Sequence, residues 1–269
     1  MTIHSMLTVG PLSISLQTAA SVLAPVAGLV VLCLVASTRR LESGLALDGA
    51  LGALVIGLAL DHLPPVLAAA QLRPIALAIP LELVRELGPR VAAVAAVLCY
   101  LGILRLCRRP AGQYGDALAP SLAVASALLW VAAAFSGEYA GVPAASFLAL
   151  PLPDRFGLVT ARVPIQPVMA GACLLAGLLS LLLARWLRPG LSLCLYAALS
   201  SSLMALLDNY LAGSPLFWGA VPVSVVADGV LALAWLLGCA GLALSARQGK
   251  QVPDMSSGLT SNSEAQGRP

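Results

Sequence analysis

The sequence predicts an all-α integral membrane protein of about seven transmembrane helices with a small periplasmic-side cap, N-out and C-in, and three observations carry that reading. Of 269 residues, 59% are apolar and only 10% are charged. A soluble domain carries about a quarter charged residues. The apolar residues also gather into runs of about 20, the length a helix needs to cross the hydrocarbon core of a bilayer. Mean hydropathy is +0.94.

Seven such runs are present. The first two are "AASVLAPVAGLVVLCLVAS" (about 19–37) and "LALDGALGALVIGLAL" (about 45–60 or longer). "VAAVAAVLCYLGILRLC" (about 91–107) and "ALAPSLAVASALLWVAAAF" (about 117–135) follow, and the last three fall near 167–186, 190–212 and 220–245. Helices apolar on all sides carry little periodicity, so length and flanking charge place them. Arginine placement sets the orientation, because cytoplasmic loops are enriched in positive charge. With the N-terminus outside, ten cationic residues (Arg39, Arg40, Arg105, Arg108, Arg109, Arg185, Arg188, Arg247, Lys250 and Arg268) face inward, and five (Arg73, Arg85, Arg90, Arg155 and Arg162) face outward.

Residues 1–246 are thus expected to form one polytopic domain. Within it, 61–90 reads as an outer re-entrant or interfacial segment, because prolines break it into half-length apolar runs. The segment 136–166 is rich in Pro and Gly and reads as a cap. The polar, Ser- and Gly-rich 247–269 reads as a disordered cytoplasmic tail. No basic n-region and cleavage site mark a signal peptide, so insertion is expected to use the helices themselves. The six cysteines are scattered through apolar segments without a CxxC, as small core residues are. No metal site, cofactor or nucleic-acid partner is expected: a net charge of +3 is small, and no basic run is interleaved with aromatics.

Ionisable groups at membrane depth cost about 2.5–3.5 kcal/mol each unless paired or hydrated, which makes them functional candidates. Asp48, Asp61 and Asp208 lie near expected helix ends, where water can reach them. Asp228 is deeper and is expected to face a polar cavity. Asp61 and His62 are adjacent, so on a helix they point about 100° apart and do not form a direct base pair. In "ARVPIQPVMAG", Arg162 and Gln166 flank a proline-marked helix start. Free backbone N–H groups and a guanidinium together suit a phosphate or carboxylate there, and a positively charged interfacial anchor would read the same way.

Three stretches resemble the prolipoprotein diacylglyceryl transferase family. "VGPLSISLQTAASVLAPVAGLVV" is similar to its opening strand and first helix. "GDALAPSLAVASALLWVAAAFSGEYAGVP" resembles its D-x-x-x-P…R-x-G-N-F-x-N-G-E-x-x-G-x-P region, and "ARVPIQPVMAGACLLAGLL" its R-H-P-S-Q-L-Y-E stretch. The resemblance spans roughly residues 8–245. It implies a seven-helix bacterial inner-membrane enzyme that moves a diacylglyceryl group from phosphatidylglycerol to a lipobox cysteine thiol. The implied partners are membrane phospholipid, phosphatidylglycerol first, and a lipoprotein precursor peptide.

The residues that match are Asp116, Pro120, Gly137, Glu138, Gly141, Pro143, Arg162, Pro164 and Gln166. Others depart from the family pattern. Trp130 stands at its arginine, Ala133 and Ser136 at its asparagines, Gln17 at the opening tyrosine, and Val168 and Met169 at the Tyr-Glu pair. "RELGPR" replaces the H-G-G-x-x-G segment, and "SSSLMALLDNY" the arginine-rich face of the sixth helix. Weakened or lost catalysis with retained phospholipid binding is the expectation. A transferase with relocated catalytic residues and a small transporter coupled through Asp61, Asp208 and Asp228 are the alternatives. The candidate head-group residues are Glu138, Gly141, Arg162 and Gln166, with Arg85 and Arg90 as replacement cations. Asp116, Pro120, Gly137, Pro143 and Pro164 are expected to serve the frame.

Overall fold

Small side chains at every fourth position decide how the helices meet. The structure is a computed structural model, which describes residues 6–9, 12–69, 81–154, 156–212, 217, 218 and 220–248. The described residues are mostly helical: α1 (Leu16–Thr38), α2 (Ser43–Ala69), α3 (Leu81–Leu106), α4 (Ala111–Ser136), α5 (Ile165–Leu183), α6 (Leu191–Leu207) and α7 (Val223–Gln248). All seven are long and apolar enough to cross a membrane, and the chain is a multi-pass membrane protein.

The middle helix, α4, packs against α1, α3, α5 and α6. Its buried face carries Ala119, Ala123 and Ala127 at four-residue spacing. On α1 the matching row is Ala20, Ala24, Leu32 and Ala36, with Gly28 in the gap. Lipid tails are as apolar as leucine, so helices in a bilayer gain by close backbone approach, which small residues permit. Gly177 on α5 touches Ala123 so closely that a β-carbon there would overlap the Ala123 methyl. The Ser121 hydroxyl donates to the Gly28 carbonyl at 2.7 Å, tying α4 to α1. Larger side chains face lipid: Val22, Leu23, Leu174, Leu175, Leu233 and Leu237 are all exposed.

The two Arg-Arg turns share one geometry. Leu41 N–H donates to the Ala36 carbonyl and Arg40 N–H to Ser37, and Arg109 and Arg108 do the same to Leu104 and Arg105. This paired pattern closes a helix C-terminus, and it puts Arg40 and Arg108 in the left-handed region, each at φ 57°. An Arg109–Glu42 ion pair at 2.6 Å joins the two turns.

Asp116 has a framework role. Its Oδ2 accepts from Gly190 N–H at 2.9 Å, and its Oδ1 accepts from Ser192 N–H at 3.0 Å and Leu193 N–H at 3.3 Å. The first amides of a helix have no partner within it. Gly190 has no side chain to cap α6, so a carboxylate from α4 does so. Pro120 sits inside α4, one turn further along and buried.

Three short antiparallel hairpins accompany the helices: β1 (Met6–Val9) with β2 (Leu12–Ser15), β3 (Leu150–Pro153) with β4 (Val159–Arg162), and β5 (Phe217–Trp218) with β6 (Val221–Pro222). The β3–β4 pair lies within the expected cap, 136–166. The segment 61–90, expected to be re-entrant, differs. Residues 61–69 prolong α2 and 81–90 begin α3, while 70–80 lie outside the described residues. Prolines interrupt helices less in a bilayer than in water, because neighbouring groups re-satisfy the freed carbonyls. Residues 249–269, most of the expected tail, lie outside the described residues too.

Replacing Asp116 by alanine is expected to orphan buried α6 amides and lower stability by about 1–3 kcal/mol. Asp116→Asn, which keeps one acceptor oxygen, should lose less. Thermal unfolding of the detergent-purified variants measures both.

Candidate functional site

At the end of the bundle that carries β3 and β4, hereafter the cap end, α4 stops at Gly137. Its φ of 75° is left-handed, and its N–H closes on the Ala133 carbonyl. Glycine takes this conformation without the steric cost other residues meet. The chain then runs as a short extended piece between two neighbours. Val142 N–H donates to the Tyr210 carbonyl and Ala212 N–H to Ala140, while Val163 N–H donates to Val142 and Ala144 N–H to Ala161. Gly141 bridges Leu211 on one side, and Pro143 bridges Arg162 on the other. A β-carbon on Gly141 would strike the Val163 carbonyl oxygen, so close approach is what requires glycine there.

Arg162 and Gln166 both turn inward onto this piece. Arg162 donates through Nη1 to the Gly141 carbonyl at 3.1 Å and through Nη2 to Asp154 Oδ2 at 3.0 Å. Asp154 Oδ1 accepts from Phe156 N–H and Leu158 N–H, so one carboxylate closes the β3–β4 turn and holds the guanidinium. Gln166 is fully buried, and its Nε2 donates to the Glu138 carbonyl at 2.9 Å. Pro164 precedes α5 as its N-cap residue. The cation expected to await a phosphate at this helix start is therefore 6% exposed and engaged within the protein. The family resemblance carries no information on Asp154, and a lone aspartate in a loop gives little signal of its role.

Glu138 itself is exposed. Its main-chain carbonyl, rather than its carboxylate, takes the Gln166 hydrogen bond. Tyr139 follows at φ 53° and packs on Trp130, with ring centroids 5.4 Å apart and tilted by 59°. Trp130, where the resembled family has an arginine, thus supports the cap through its ring.

Arg90 forms the second centre. From α3 it donates through Nε to Asp228 Oδ1 at 2.9 Å and through Nη2 to Asp228 Oδ2 at 2.8 Å. Nη2 also reaches Asp208 Oδ2 at 2.8 Å. The fork geometry suits guanidinium–carboxylate pairing and ties α3 to α7 and to the 3-10 turn Asp208–Tyr210. Asp208, expected near water at a helix end, is instead 1% exposed. Asp228, expected to face a polar cavity, meets Arg90 instead. The Ser224 hydroxyl lies beside Asp208, within side-chain hydrogen-bonding reach of its carboxylate.

The two centres adjoin. The Tyr139 phenol lies within electrostatic reach of Glu138, Arg90, Asp61 and Asp208. Asp61 is in loose contact with His62 at 3.7 Å, while His62 Nδ1 sits 3.0 Å from the Leu58 carbonyl. The Arg85 side chain lies outside the described residues, as do Arg73 and Arg155. No family model matches the chain, and a search of curated proteins finds no match.

Arg90→Leu should leave two buried carboxylates facing each other and cost about 3–5 kcal/mol. Adding Asp208→Asn and Asp228→Asn to Arg90→Leu should recover much of that loss. Melting temperatures of the single and triple variants in one detergent make the comparison.

Proposed function

We propose that this chain is a diverged member of the prolipoprotein diacylglyceryl transferase family that binds phospholipid at its cap end and does not carry out the transfer. The proposal places it in the bacterial inner membrane, N-out and C-in, with the Arg39–Arg40 and Arg108–Arg109 turns on the cytoplasmic side. One observation carries the reading. Both described cations at the cap end, Arg90 and Arg162, are bound to aspartates of the protein itself.

Diacylglyceryl transfer needs a group that takes the thiol proton and cations that stabilise the departing glycerol phosphate. A guanidinium shared between two carboxylates, and another buried against Asp154, are poorly placed for that work. The frame gives separate support to the resemblance. The stretches "GEYAGVP" and "ARVPIQ", two of those that resemble the family, are joined by the Gln166–Glu138 and Arg162–Gly141 hydrogen bonds. Phosphatidylglycerol is the first lipid to examine, and a lipoprotein precursor peptide the first polypeptide.

A second reading, an ion-coupled transporter, draws on the meeting of Asp208 and Asp228 at Arg90 near the ends of apolar helices. Pyranine-loaded proteoliposomes test it, and a proton flux abolished by Asp228→Asn would favour it.

The purified protein, incubated with phosphatidylglycerol and a lipobox peptide, is expected to form no thioether product while native mass spectrometry finds phospholipid bound. Thioether formation, or rescue of a strain depleted of its own transferase, would overturn the loss of catalysis. Absence of any bound phospholipid would overturn the binding role. Arg162→Ala, which unties the cap from Asp154 and Gly141, is expected to reduce lipid retention severalfold and to lower the melting temperature.

A further inference from the structure

We infer that the β3–β4 cap is seated in the lipid surface, with Phe147, Leu148, Phe156, Leu158 and Val159 as an apolar wedge in the head-group boundary. The inference needs only the seven spanning helices and is independent of the transferase resemblance.

The cap turns its charge in and its apolar side chains out. Phe147 is 95% exposed, Phe156 68% and Leu158 61%, and their sequence neighbours Leu148 and Val159 are exposed as well. Among the described side chains between Glu138 and Arg162, Asp154 alone carries a charge, and it pairs with buried Arg162. A cap surrounded by water would bury such phenylalanines and leucines and leave its charges outside. Large apolar side chains exposed together mark a contact with lipid or with protein.

The backbone of the cap distinguishes these two. At the hairpin tip, Asp154 Oδ1 accepts from Phe156 N–H and Leu158 N–H, and the Asp154 carbonyl accepts from Gly157 N–H at 2.8 Å. The amides of the apolar tip are thus satisfied within the cap. On β4 the Ala161 carbonyl accepts from Ala144 N–H, so the polar groups of Thr160 and Arg162 face β3, opposite Leu152 and Leu150. Successive residues of a strand point their polar groups to opposite edges. Pro151 and Pro153 therefore fall on the outer edge of β3, which has no N–H at either position. A polypeptide that docks by adding a strand needs those donors. A lipid surface needs the reverse, because water is scarce there and an unpaired donor is costly.

The location of the cap agrees. It leaves α4 at Gly137 and enters α5 at Ile165, so both of its ends are ends of spanning helices. Strand β3 packs back against α4. Val131 and Phe135 are exposed in the last two turns of α4, and Val168 in the first turn of α5, so apolar side chains lead into the cap from both helices. Interfacial segments with one apolar face sit about 5–10 Å into the boundary between head groups and acyl chains.

The test uses the full-length protein in nanodiscs containing phosphatidylcholine with a diazirine near the glycerol end of one acyl chain. Light expels dinitrogen from the diazirine, and the resulting carbene inserts into the bonds it touches. Tandem mass spectrometry maps the adducts. Labelling of Phe147, Phe156 and Leu158 is expected at the level of exposed Leu174 on α5, with none at the Arg108–Arg109 turn. Hydroxyl radicals generated in the water phase are expected to leave the same three residues unoxidised. Oxidation of the three without lipid adducts would overturn the inference, since the cap would then stand in water. Protection from both reagents would overturn it in favour of a protein partner or a second copy covering the face. The double variant Phe147→Asp with Phe156→Asp should lose lipid labelling at Leu158 severalfold while its melting temperature in detergent stays unchanged. Undiminished labelling of Leu158 in that folded variant would overturn the role of the two rings in seating the cap. If the variant does not fold, the labelling of the native protein decides.

Discussion

A bilayer core offers no water to polar groups, so every charge and every backbone amide at that depth needs a partner within the protein. Arg90 shows the constraint most directly. Its guanidinium joins Asp228 on α7 with Asp208 at the end of α6. Contact between α3 and α7 is otherwise sparse, so this ion-paired fork is a main link between them. Three groups that would be expensive alone become tolerable together, and the cap end inherits their arrangement. The same constraint brings Asp116 across from α4 to cap α6 at the opposite end of the bundle.

Close packing supplies the rest of the cohesion. The α1–α4–α5 sandwich depends on alanines and glycines repeated every fourth residue, with Gly177 seated on Ala123 and Ser121 bonded to Gly28. Tyr100, Tyr114 and Tyr196 fill the wider gaps. Bulky aliphatic side chains are left for lipid, an inversion of the soluble pattern that follows from the solvent. In the cap, charge turns in while apolar groups turn out. Arg162 and Asp154 pair beneath the β3–β4 hairpin, while Phe147, Phe156, Leu158 and Val159 stay exposed.

Several of the matching residues shape the frame. Gly137 ends α4, Gly141 admits the Val163 carbonyl, Asp116 caps α6, and Arg162 and Gln166 hold the turn from α4 into the cap. Positions where the sequence departs from the resembled pattern carry other interactions, as Trp130 does against Tyr139.

The seven helices were legible in the sequence because a bilayer demands runs of about 20 apolar residues, and that demand is written in composition and length. Gly137, expected to serve the frame, takes the left-handed backbone that ends α4, which few other residues tolerate. The extension of α2 through Asp61 and of α3 back to Leu81 was not, since prolines there read as breaks. The partners of Arg90, Arg162 and Glu138 were also hidden. An arginine looks the same in sequence whether it waits for a phosphate or is already bound to an aspartate 138 residues away, as Arg90 is to Asp228. Composition and spacing determined that this chain crosses a membrane and where it turns. Only the tertiary structure decided which charges pair with which, because charge pairing depends on distances that sequence separation does not encode.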